Sequence, residues 1–523
     1  MFSGVGFLYQ RKKGDLLVAS RGKKLAFNTF TSLFLQLTTI VCGFILPRLI
    51  LGTFGSDVNG LVNSIAQFLG VISLLDLGVG AVVQSSLYKP LADGDEDGIS
   101  KIYVSATRFF RRLATIFIVY VVVLMGVYPL IAKNTFDFSY NVTLIGAMCI
   151  SSFAQYYFGI VNSLLLTAHQ KGYISYTLSI VTLILNTFAC TILIKCGATI
   201  QIVKLTTSLI FMAKPLFLYF YVSSHYSINK KITYTDEPIK QKWNGMAQHF
   251  AAFVLGGTDN IVLTVFSTLS NVSIYSVYNI VIMGVKNALL SMTGGFQSLI
   301  GDMLAKKETE KLNKFFGYVE WVLHTGTTLV FGCTGVLLVS FVRVYTSGIY
   351  DADYIQPLFA ILITVANAGH CLRLPYNVLI LAAGHYKQTQ SNYIIAMFLN
   401  IIISIATVSL FGLVGVAIGT LIAMLYQTIW MAWYDSKNII NWPFKKFLKQ
   451  CGVDALTAII ASVATFKIPM LSVSYKAWFL LAIEVFVIWL IITIVLNLIF
   501  YRDNLKTISA KLSSKILKKR CNI

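Results

Sequence analysis

The chain is poor in charged residues, and acidic residues are especially scarce. Only 12% of its 523 residues are charged, about half the proportion in an ordinary soluble domain, and 21 acidic residues stand against 42 lysines and arginines. Hydrophobic residues make up 56% of the chain, and its mean hydropathy is +0.73. One soluble core cannot bury so much apolar surface, so the composition excludes a soluble globular protein and indicates a membrane protein.

Motifs of common enzyme and cofactor sites are also missing. The sequence has no GxxxxGK[ST] phosphate loop, no HExxH and no GxSxG, which argues against an ATP-driven pump and against hydrolases of those types. The eight cysteines form no CxxC pair, so neither a disulfide framework nor a metal site is predicted. Residues 1–9 are apolar, but the cations Arg11, Lys12 and Lys13 follow them, which is the reverse of a cleavable signal peptide. We therefore expect no catalytic residues, no metal and no cofactor.

Apolar runs long enough to cross a bilayer, about 20 residues each, recur along the whole chain. The predicted spans are 26–48, 58–88, 113–132, 142–166, 174–194, 201–222, 245–268, 274–304, 317–342, 355–383, 391–410, 412–434, 451–466 and 477–500. Their connections are short, so no large soluble domain is expected on either side. The sequence therefore predicts an all-α polytopic membrane protein with about 14 transmembrane helices.

The basic residues alternate in step with these spans. Segments on the side of the N-terminus hold 32 of the 42 lysines and arginines, and segments on the other side hold 6. Because loops rich in Lys and Arg stay inside, both termini are predicted to be cytoplasmic. The net charge of +21 then needs no nucleic-acid partner. In the tail 501–523 the cations alternate with leucine and isoleucine, a spacing typical of an amphipathic helix on an anionic leaflet. A simple positive-inside anchor explains the same cations and is the favoured interpretation.

Four short matches at nearly the same offset indicate an internal duplication. The matched pairs are 165–171 with 381–387, Asn186 with Asn400, Gly197 with Gly412, and Val58 with Val272, at offsets of 214 to 216. A shift of six spans preserves orientation, which predicts parallel repeats: two six-helix bundles around a central cavity that work by alternating access. The predicted parts are an N-terminal cytoplasmic segment 1–25, a first bundle 26–222, a cytoplasmic linker 223–244, a second bundle 245–434, two extra transmembrane helices in 451–500 and the tail 501–523.

Cations inside the spans indicate where a substrate would bind. A charge at mid-depth costs about 2.5–3.5 kcal/mol to insert, so it is expected to face the protein interior. Lys214, Lys286 and Arg373 lie near the middle of spans six, eight and ten, and Arg48 lies just below the outer end of span one. We predict that these four residues bind an anionic phosphate or carboxylate group. For Arg48, snorkelling to the outer headgroups is the alternative.

Embedded carboxylates and one histidine are the predicted coupling or ion-pairing residues. Asp259, past the middle of span seven, would pair with a cavity cation or carry a coupling ion. Asp76 lies beside two glycines in span two, where pairing with a structural cation is the alternative. His370 lies three residues before Arg373, on the same helix face. Glu320 lies close to the cytoplasmic face and is expected to be solvated.

Several motifs near the N-terminus carry a family resemblance. They are Leu-Pro-Arg-Leu-Ile-Leu-Gly-Thr-Phe-Gly at 46–55, Val-Asn-Gly-Leu at 58–61, Leu-Asp-Leu-Gly-Val-Gly at 75–80, and the charged loop from Asp93 to Asp97. Through them residues 24–112 resemble the start of a Wzx-type polysaccharide-biosynthesis flippase, and the fourteen-span plan extends the resemblance over nearly the whole chain. The same superfamily includes lipid II flippases and multidrug extruders.

This resemblance implies that the chain moves undecaprenyl-diphosphate-linked oligosaccharide from the inner to the outer leaflet. It implies a bacterial cell membrane and a role in capsule, exopolysaccharide or O-antigen supply. The implied partners are the polyprenyl-diphosphate-linked glycan, membrane lipids and other polysaccharide-assembly proteins. By this analogy Arg48, Lys286 and Arg373 contact the diphosphate or an acidic sugar, and an ion gradient or the membrane potential supplies the energy.

Three alternatives remain open at this point. A lipid II flippase shares the fourteen-span plan but would be expected to have several cavity arginines, whereas only Arg48 and Arg373 qualify here. A multidrug/cation antiporter would be expected to have a carboxylate in its first bundle, and span 26–48 contains none. A membrane glycosyltransferase or polymerase would need sizeable aqueous loops, whereas the predicted outer loops have about a dozen residues at most.

Overall fold

The chain is all-helical throughout the part described by the computed structural model, which comprises residues 3–75, 78–132, 136–239, 246–291 and 293–504. Its helices are α1 (Ser3–Gly70), α2 (Val79–Asp93), α3 (Glu96–Ile131), α4 (Phe138–Ala154), α5 (Ile160–Ala168), α6 (Gly172–Lys195), α7 (Ile200–His225), α8 (Met246–Phe266), α9 (Leu269–Leu290), α10 (Thr293–Ala305), α11 (Thr309–Tyr345), α12 (Pro357–Leu372), α13 (Leu374–Ala382), α14 (Tyr386–Phe411), α15 (Leu413–Asn438), α16 (Phe444–Thr465) and α17 (Tyr475–Phe500). A short 3-10 turn at Val71–Leu75 follows α1, and a π-helical turn at Gln155–Gly159 joins α4 to α5.

Twelve stretches among the described residues are long and apolar enough to cross a membrane. Each of the fourteen predicted spans coincides with helix, which confirms an all-α, multi-pass membrane protein. The twelve stretches are two fewer than the fourteen predicted spans, for two reasons. Spans one and two are joined in a single stretch, Phe27–Leu74, and the apolar part of span seven is the shorter Phe253–Phe266.

The helices extend beyond the approximate predicted spans at several points, as two examples show. The connection expected at 49–57 is helical, and α1 is interrupted there at one residue, Gly55, whose φ of 84° and ψ of 176° suit glycine. Helix α16 begins at Phe444, seven residues before the predicted 451, directly after Pro443. The predicted tail lies outside the described residues from position 505 onward, as do residues 240–245 of the predicted linker and its junction with span seven.

The chain divides into two compact units, Met1–Phe250 and Ala251–Ile523. The helices of the two units begin at matched positions. The matched starts are Ile160 with Leu374, Gly172 with Tyr386, and Ile200 with Leu413, at offsets of 214, 214 and 213. Residues with positive φ recur in the same way: Gly94 with Lys307, Gln170 with Gly384, and Gly197 with Gly412. Both units therefore place their helix ends and turns in the same order.

In the second unit the last two helices pack closely against α11. The ring of Trp489 on α17 fills the space beside Gly332, where any Cβ would overlap it. Trp442, before α16, does the same beside Gly317. Trp321 on α11 donates its indole N–H to Asn497 Oδ1 at 2.6 Å. Helix α11 thus carries two glycine notches that receive aromatic rings from α17 and from the segment preceding α16.

Candidate substrate-binding site

A break within span ten places Arg373 between two helices of the second unit. Helix α12 ends at Leu372 and α13 begins at Leu374. Pro375, at the start of α13, has no N–H to donate and so interrupts the helical hydrogen-bond ladder at this point. The long side chain of Arg373 is therefore held at a helix junction inside a membrane span, where it is only 7% exposed.

Two buried cations and one histidine come together around this junction. Arg373 Nη2 lies 2.9 Å from His370 Nδ1, one turn earlier on α12. Lys286 on α9 is 9% exposed and donates to Asn367 Oδ1 at 3.5 Å. Lys286 is also near enough to Arg373 for their charges to interact. Within the described residues, neither cation has a carboxylate oxygen within 4.0 Å.

The guanidinium of Arg373 keeps unused hydrogen-bonding capacity. Its Nε and Nη1 atoms are buried and have no hydrogen-bond partner among the described residues. Buried polar groups normally have partners, and a guanidinium presents donors in a planar fork that matches phosphate or carboxylate oxygens. The arrangement of Lys286 and Arg373 is therefore chemically suited to an anionic ligand.

Asp259 lies in a separate polar cluster of the same unit. Tyr275 donates its hydroxyl to Asp259 Oδ2 at 2.9 Å, and Thr420 on α15 lies 3.0 Å from the same oxygen. Asn400 on α14 links the cluster further, since it donates to Thr420 and accepts from Thr258, each at 3.0 Å. Asp259 interacts electrostatically with Lys286, but the two are not within ion-pair distance.

The remaining predicted site residues lie in the first unit. Lys214 on α7 is half-buried and donates to Ser179 Oγ on α6 at 2.7 Å. Arg48 on α1 is half-buried, and its Nη1 lies against Gly52 one turn later. Asp76 lies outside the described residues. The structure thus brings Lys286, Arg373 and His370 together, and it places Asp259 near enough to Lys286 for their charges to interact.

One buried polar group escaped the sequence reasoning. Glu320 is only 3% exposed, so the expectation that it is solvated is wrong. It belongs to a network with His324 on α11, Tyr376 on α13 and Asp454 on α16. The i, i+4 spacing of Glu320 and His324 was a usable signal, because it places both side chains on one helix face. In the described part of the chain, no group of three or more His, Cys, Asp or Glu residues is arranged to hold a metal ion.

Comparisons with known proteins identify the fold. No protein-family model and no curated protein sequence matches the chain. The inward closed conformation of the lipid II flippase MurJ is similar, with a TM-score of 0.64 and 15% identity over 91% of this chain and 99% of that chain. An inward-facing multidrug resistance MATE family transporter of the MOP superfamily has a TM-score of 0.59 and 14% identity over 76% and 94% of the two chains.

A third similar structure is a MOP superfamily transporter from Pyrococcus furiosus. It has a TM-score of 0.55 and 13% identity, and the match covers 80% of this chain and 96% of that one. Its description states that the reverse polarity of its binding pocket suggests a different function. At these identities the comparisons show the fold alone: the chain has the helical fold shared by these three flippase and transporter structures.

Proposed function

We propose that the chain is a flippase that moves an anionic, polyprenyl-diphosphate-linked oligosaccharide from the inner to the outer leaflet of a bacterial cell membrane. The observation that carries the proposal is the buried guanidinium of Arg373, with Nε and Nη1 unpartnered in the described part of the chain and Lys286 nearby. A diphosphate offers the oxygens that these donors lack. The translocated unit would serve capsule, exopolysaccharide or O-antigen assembly, together with other polysaccharide-assembly proteins.

Similarity of fold supports a transporter that handles lipid-linked substrates. The MurJ structure is that of a lipid II flippase, and its match covers 91% of this chain. The MATE transporter match covers 76%. The sign of the buried charges around Arg373 also disfavours a cationic drug as the substrate, because Lys286 and Arg373 would repel it.

In the proposed mechanism the second unit supplies the headgroup contacts. Arg373 and Lys286 bind the diphosphate or an acidic sugar, and His370 orients the guanidinium from one face. Asp259, held by Tyr275 and Thr420, is the proposed coupling residue, because its charge interacts with that of Lys286. Arg48 and Lys214 of the first unit are proposed as further headgroup contacts during alternating access, and Asp76 and His370 as further ion-pairing or coupling residues.

The second candidate is a lipid II flippase. It is favoured by one observation, the extent of the match to the lipid II flippase MurJ over 91% of this chain and 99% of that one. Both candidates bind a polyprenyl diphosphate, so the geometry around Arg373 suits either one. They differ in which glycan accumulates when the chain is absent.

The deciding experiment measures lipid-linked intermediates in cells from which the chain has been deleted. Polyprenyl diphosphates are extracted and identified by mass spectrometry, and surface polysaccharide is quantified in parallel. A complete oligosaccharide repeat unit that accumulates on the cytoplasmic side, with surface polymer lost, supports the proposal. Accumulated lipid II would move the assignment to the second candidate.

Two other results would overturn transport of a lipid-linked glycan. A normal lipid pool with lost tolerance to cationic compounds would indicate a drug exporter. An incomplete glycan on the lipid would indicate a glycosyltransferase or polymerase. Plasmid-borne wild-type chain is the control, because it must restore both the lipid pool and the surface polymer.

A further inference from the structure

A second buried polar network lies in the same unit as Arg373 and has no part in the headgroup contacts described above. Glu320 and His324 lie one turn apart on α11, facing Tyr376 on α13 and Asp454 on α16. Their exposed fractions are 3%, 0%, 1% and 7%. His324 Nδ1 lies 2.7 Å from Asp454 Oδ2, and its Nε2 lies 3.3 Å from the Tyr376 hydroxyl. Three helices therefore meet at one imidazole.

Two hydrogen bonds reach the two oxygens of the Glu320 carboxyl group. Trp442 donates its indole N–H to Glu320 Oε2 at 2.9 Å, and an indole nitrogen can only donate. Tyr376 donates its hydroxyl to Glu320 Oε1 at 2.6 Å. When Glu320 is ionised, both of its carboxyl oxygens accept. The single proton of the Tyr376 hydroxyl is then used, so this oxygen must accept from His324.

These hydrogen-bond directions require a proton between His324 Nδ1 and Asp454 Oδ2. If Tyr376 accepts, then His324 Nε2 carries a hydrogen. The 2.7 Å contact between Nδ1 and Asp454 Oδ2 needs another proton, held by either atom. Gln450 donates to the other carboxyl oxygen of Asp454 at 3.1 Å. Removing the shared proton would leave two acceptors facing each other at hydrogen-bond distance, which is repulsive in a buried site.

The other titratable groups around the network are few. Helix α16 contributes Cys451, and Lys446 from the same helix interacts electrostatically with Glu320. Tyr501, just after α17, interacts with Asp454 and Glu320. Helix α13 contributes Tyr376, with Arg373 one turn earlier.

The ring of Phe447 packs edge-on against both His324 and Tyr376 and shields them. The acidic groups nearest to the imidazole in the described residues are thus Asp454 and Glu320.

We propose that His324 and Asp454 hold an exchangeable proton, and that its release loosens the contacts of α11 with α13 and α16. The proton passes to and from bulk water, and no other reactant is needed. Tyr376 transmits the change, because it is hydrogen-bonded to both Glu320 and His324 and lies three residues after Arg373, which precedes α13. The proton site is independent of the substrate, whereas its effect on Arg373 during transport rests on the proposed function.

The first test needs no substrate. The full chain, labelled with ¹⁵N-histidine, is reconstituted in lipid nanodiscs, and its imidazole signals are followed by NMR between about pH 5 and pH 9. The signal lost in the His324→Gln variant belongs to His324. We expect both of its nitrogens to be protonated at the acidic end and one proton to be lost within the range. We expect Asp454→Asn to shift that transition to lower pH.

A matched control separates this effect from general perturbation. Glu484 lies on α17 and is exposed, outside the network, so Glu484→Gln should leave the His324 transition in place. A His324 signal that stays neutral, or stays doubly protonated, over the whole range would overturn the proton site. So would a transition that Asp454→Asn does not move.

A second test addresses the link to transport. Tyr376→Phe removes the hydroxyl that joins the two helices but leaves the His324–Asp454 contact. We expect this variant to keep the His324 transition while its glycan export loses the pH dependence of the wild-type chain. An unchanged pH dependence of export would overturn the link between the proton and Arg373. If the chain moves no glycan at all, the proposed function fails while the nanodisc titration still decides the proton site.

Discussion

The two units of this protein share a plan of helices but differ in the side chains at matched positions. Counted from the matched starts of α5 and α13, Arg373 of the second unit corresponds to Gly159 of the first. At Gly159 a Cβ would lie 2.8 Å from Pro215 Cβ, so α7 packs where the second unit holds a guanidinium. Lys286 corresponds in the same way to Ile72, a buried apolar residue. At these two matched positions the second unit therefore has cations where the first unit has a glycine and an isoleucine.

The same contrast holds for the helix that carries the glycine notches. Gly332 on α11 receives the ring of Trp489, whereas the matched position on α3 is Val119, which is 61% exposed. A notch on one helix and a branched side chain on its counterpart explain why α17 packs on α11. The duplicated scaffold has thus retained its turns, while packing and charge have diverged between the halves.

The largest expected effect comes from removing the guanidinium that distinguishes the second unit. Arg373→Ala should reduce glycan export about tenfold or more, since a hydrogen bond to a charged group contributes about 1.5–3 kcal/mol. Lys214→Ala, which removes a cation from a span of the first unit, is the comparison. It should have a smaller effect because Lys214 is half-buried and already donates to Ser179. Surface polysaccharide is measured against the amount of chain in the membrane. Equal losses would mean that export depends on the cations of both units to the same extent, which contradicts the larger role given to the second unit.

A smaller effect on export is expected at the polar cluster around Asp259. The matched position in the first unit is Ile45, which is 42% exposed, so the first unit has no equivalent acid there. Asp259→Asn leaves a donor facing Tyr275 or Thr420, and an unsatisfied buried donor costs about 1–3 kcal/mol. We expect export to fall several-fold with the ion dependence of transport reduced. Tyr275→Phe keeps the carboxylate and should preserve that ion dependence.

The glycine notch is expected to affect stability instead of export. Gly332→Ala should destabilise the chain by about 1–3 kcal/mol, because the new methyl group would overlap Trp489 and the packed ring has little room to move. Gly326→Ala, on the same helix, is the control, since no atom lies within 4 Å of its Cβ position. Thermal unfolding of the two variants in detergent gives the comparison. Equal unfolding temperatures would show that α17 can shift away from α11 without loss.

Much of the fold could be predicted because membrane spans are encoded locally. In the described residues each of the fourteen apolar runs is largely helical, since a bilayer requires about 20 apolar residues to be contiguous. The interior cations were also predictable, because a charge in a span is costly and must be retained for a reason. Lys286 and Arg373 were selected in this way. The sequence could not predict that these two side chains lie close together, or that Arg373 keeps unused donors, because both features depend on how the helices pack.

The features that were missed depend on contacts between distant parts of the chain. His324 and Asp454 are 130 positions apart, and no pattern within α11 or α16 pairs them. Glu320 was expected to be solvated because of its predicted place close to the cytoplasmic face, yet Trp442 and Tyr376 are hydrogen-bonded to it and it is buried. The break at Gly55 was also missed, since the apolar residues before it continue the helix where a connection was expected. Local rules do not anticipate such long-range burial.

The smallest predicted effect tests what the two units have in common. His169 Nδ1 lies 2.8 Å from the Tyr226 hydroxyl in the first unit, and His385 Nδ1 lies 3.0 Å from the Tyr434 hydroxyl in the second. A tyrosine hydroxyl is protonated at neutral pH and can donate, and burial raises the pKa of the Tyr226 phenol further above its usual value. Tyr226→Phe and Tyr434→Phe should each destabilise the chain by about 0.5–1.5 kcal/mol, the net contribution of one hydrogen bond.

Thermal unfolding of these two variants and of their combination completes the comparison between the units. Because the contacts lie in different units and share no residue, the two losses should be similar and additive. A loss confined to one variant would mean that the repeated turn keeps its geometry in both units but stabilises only one of them. Export should be little changed in either variant, because neither tyrosine belongs to the group around Arg373.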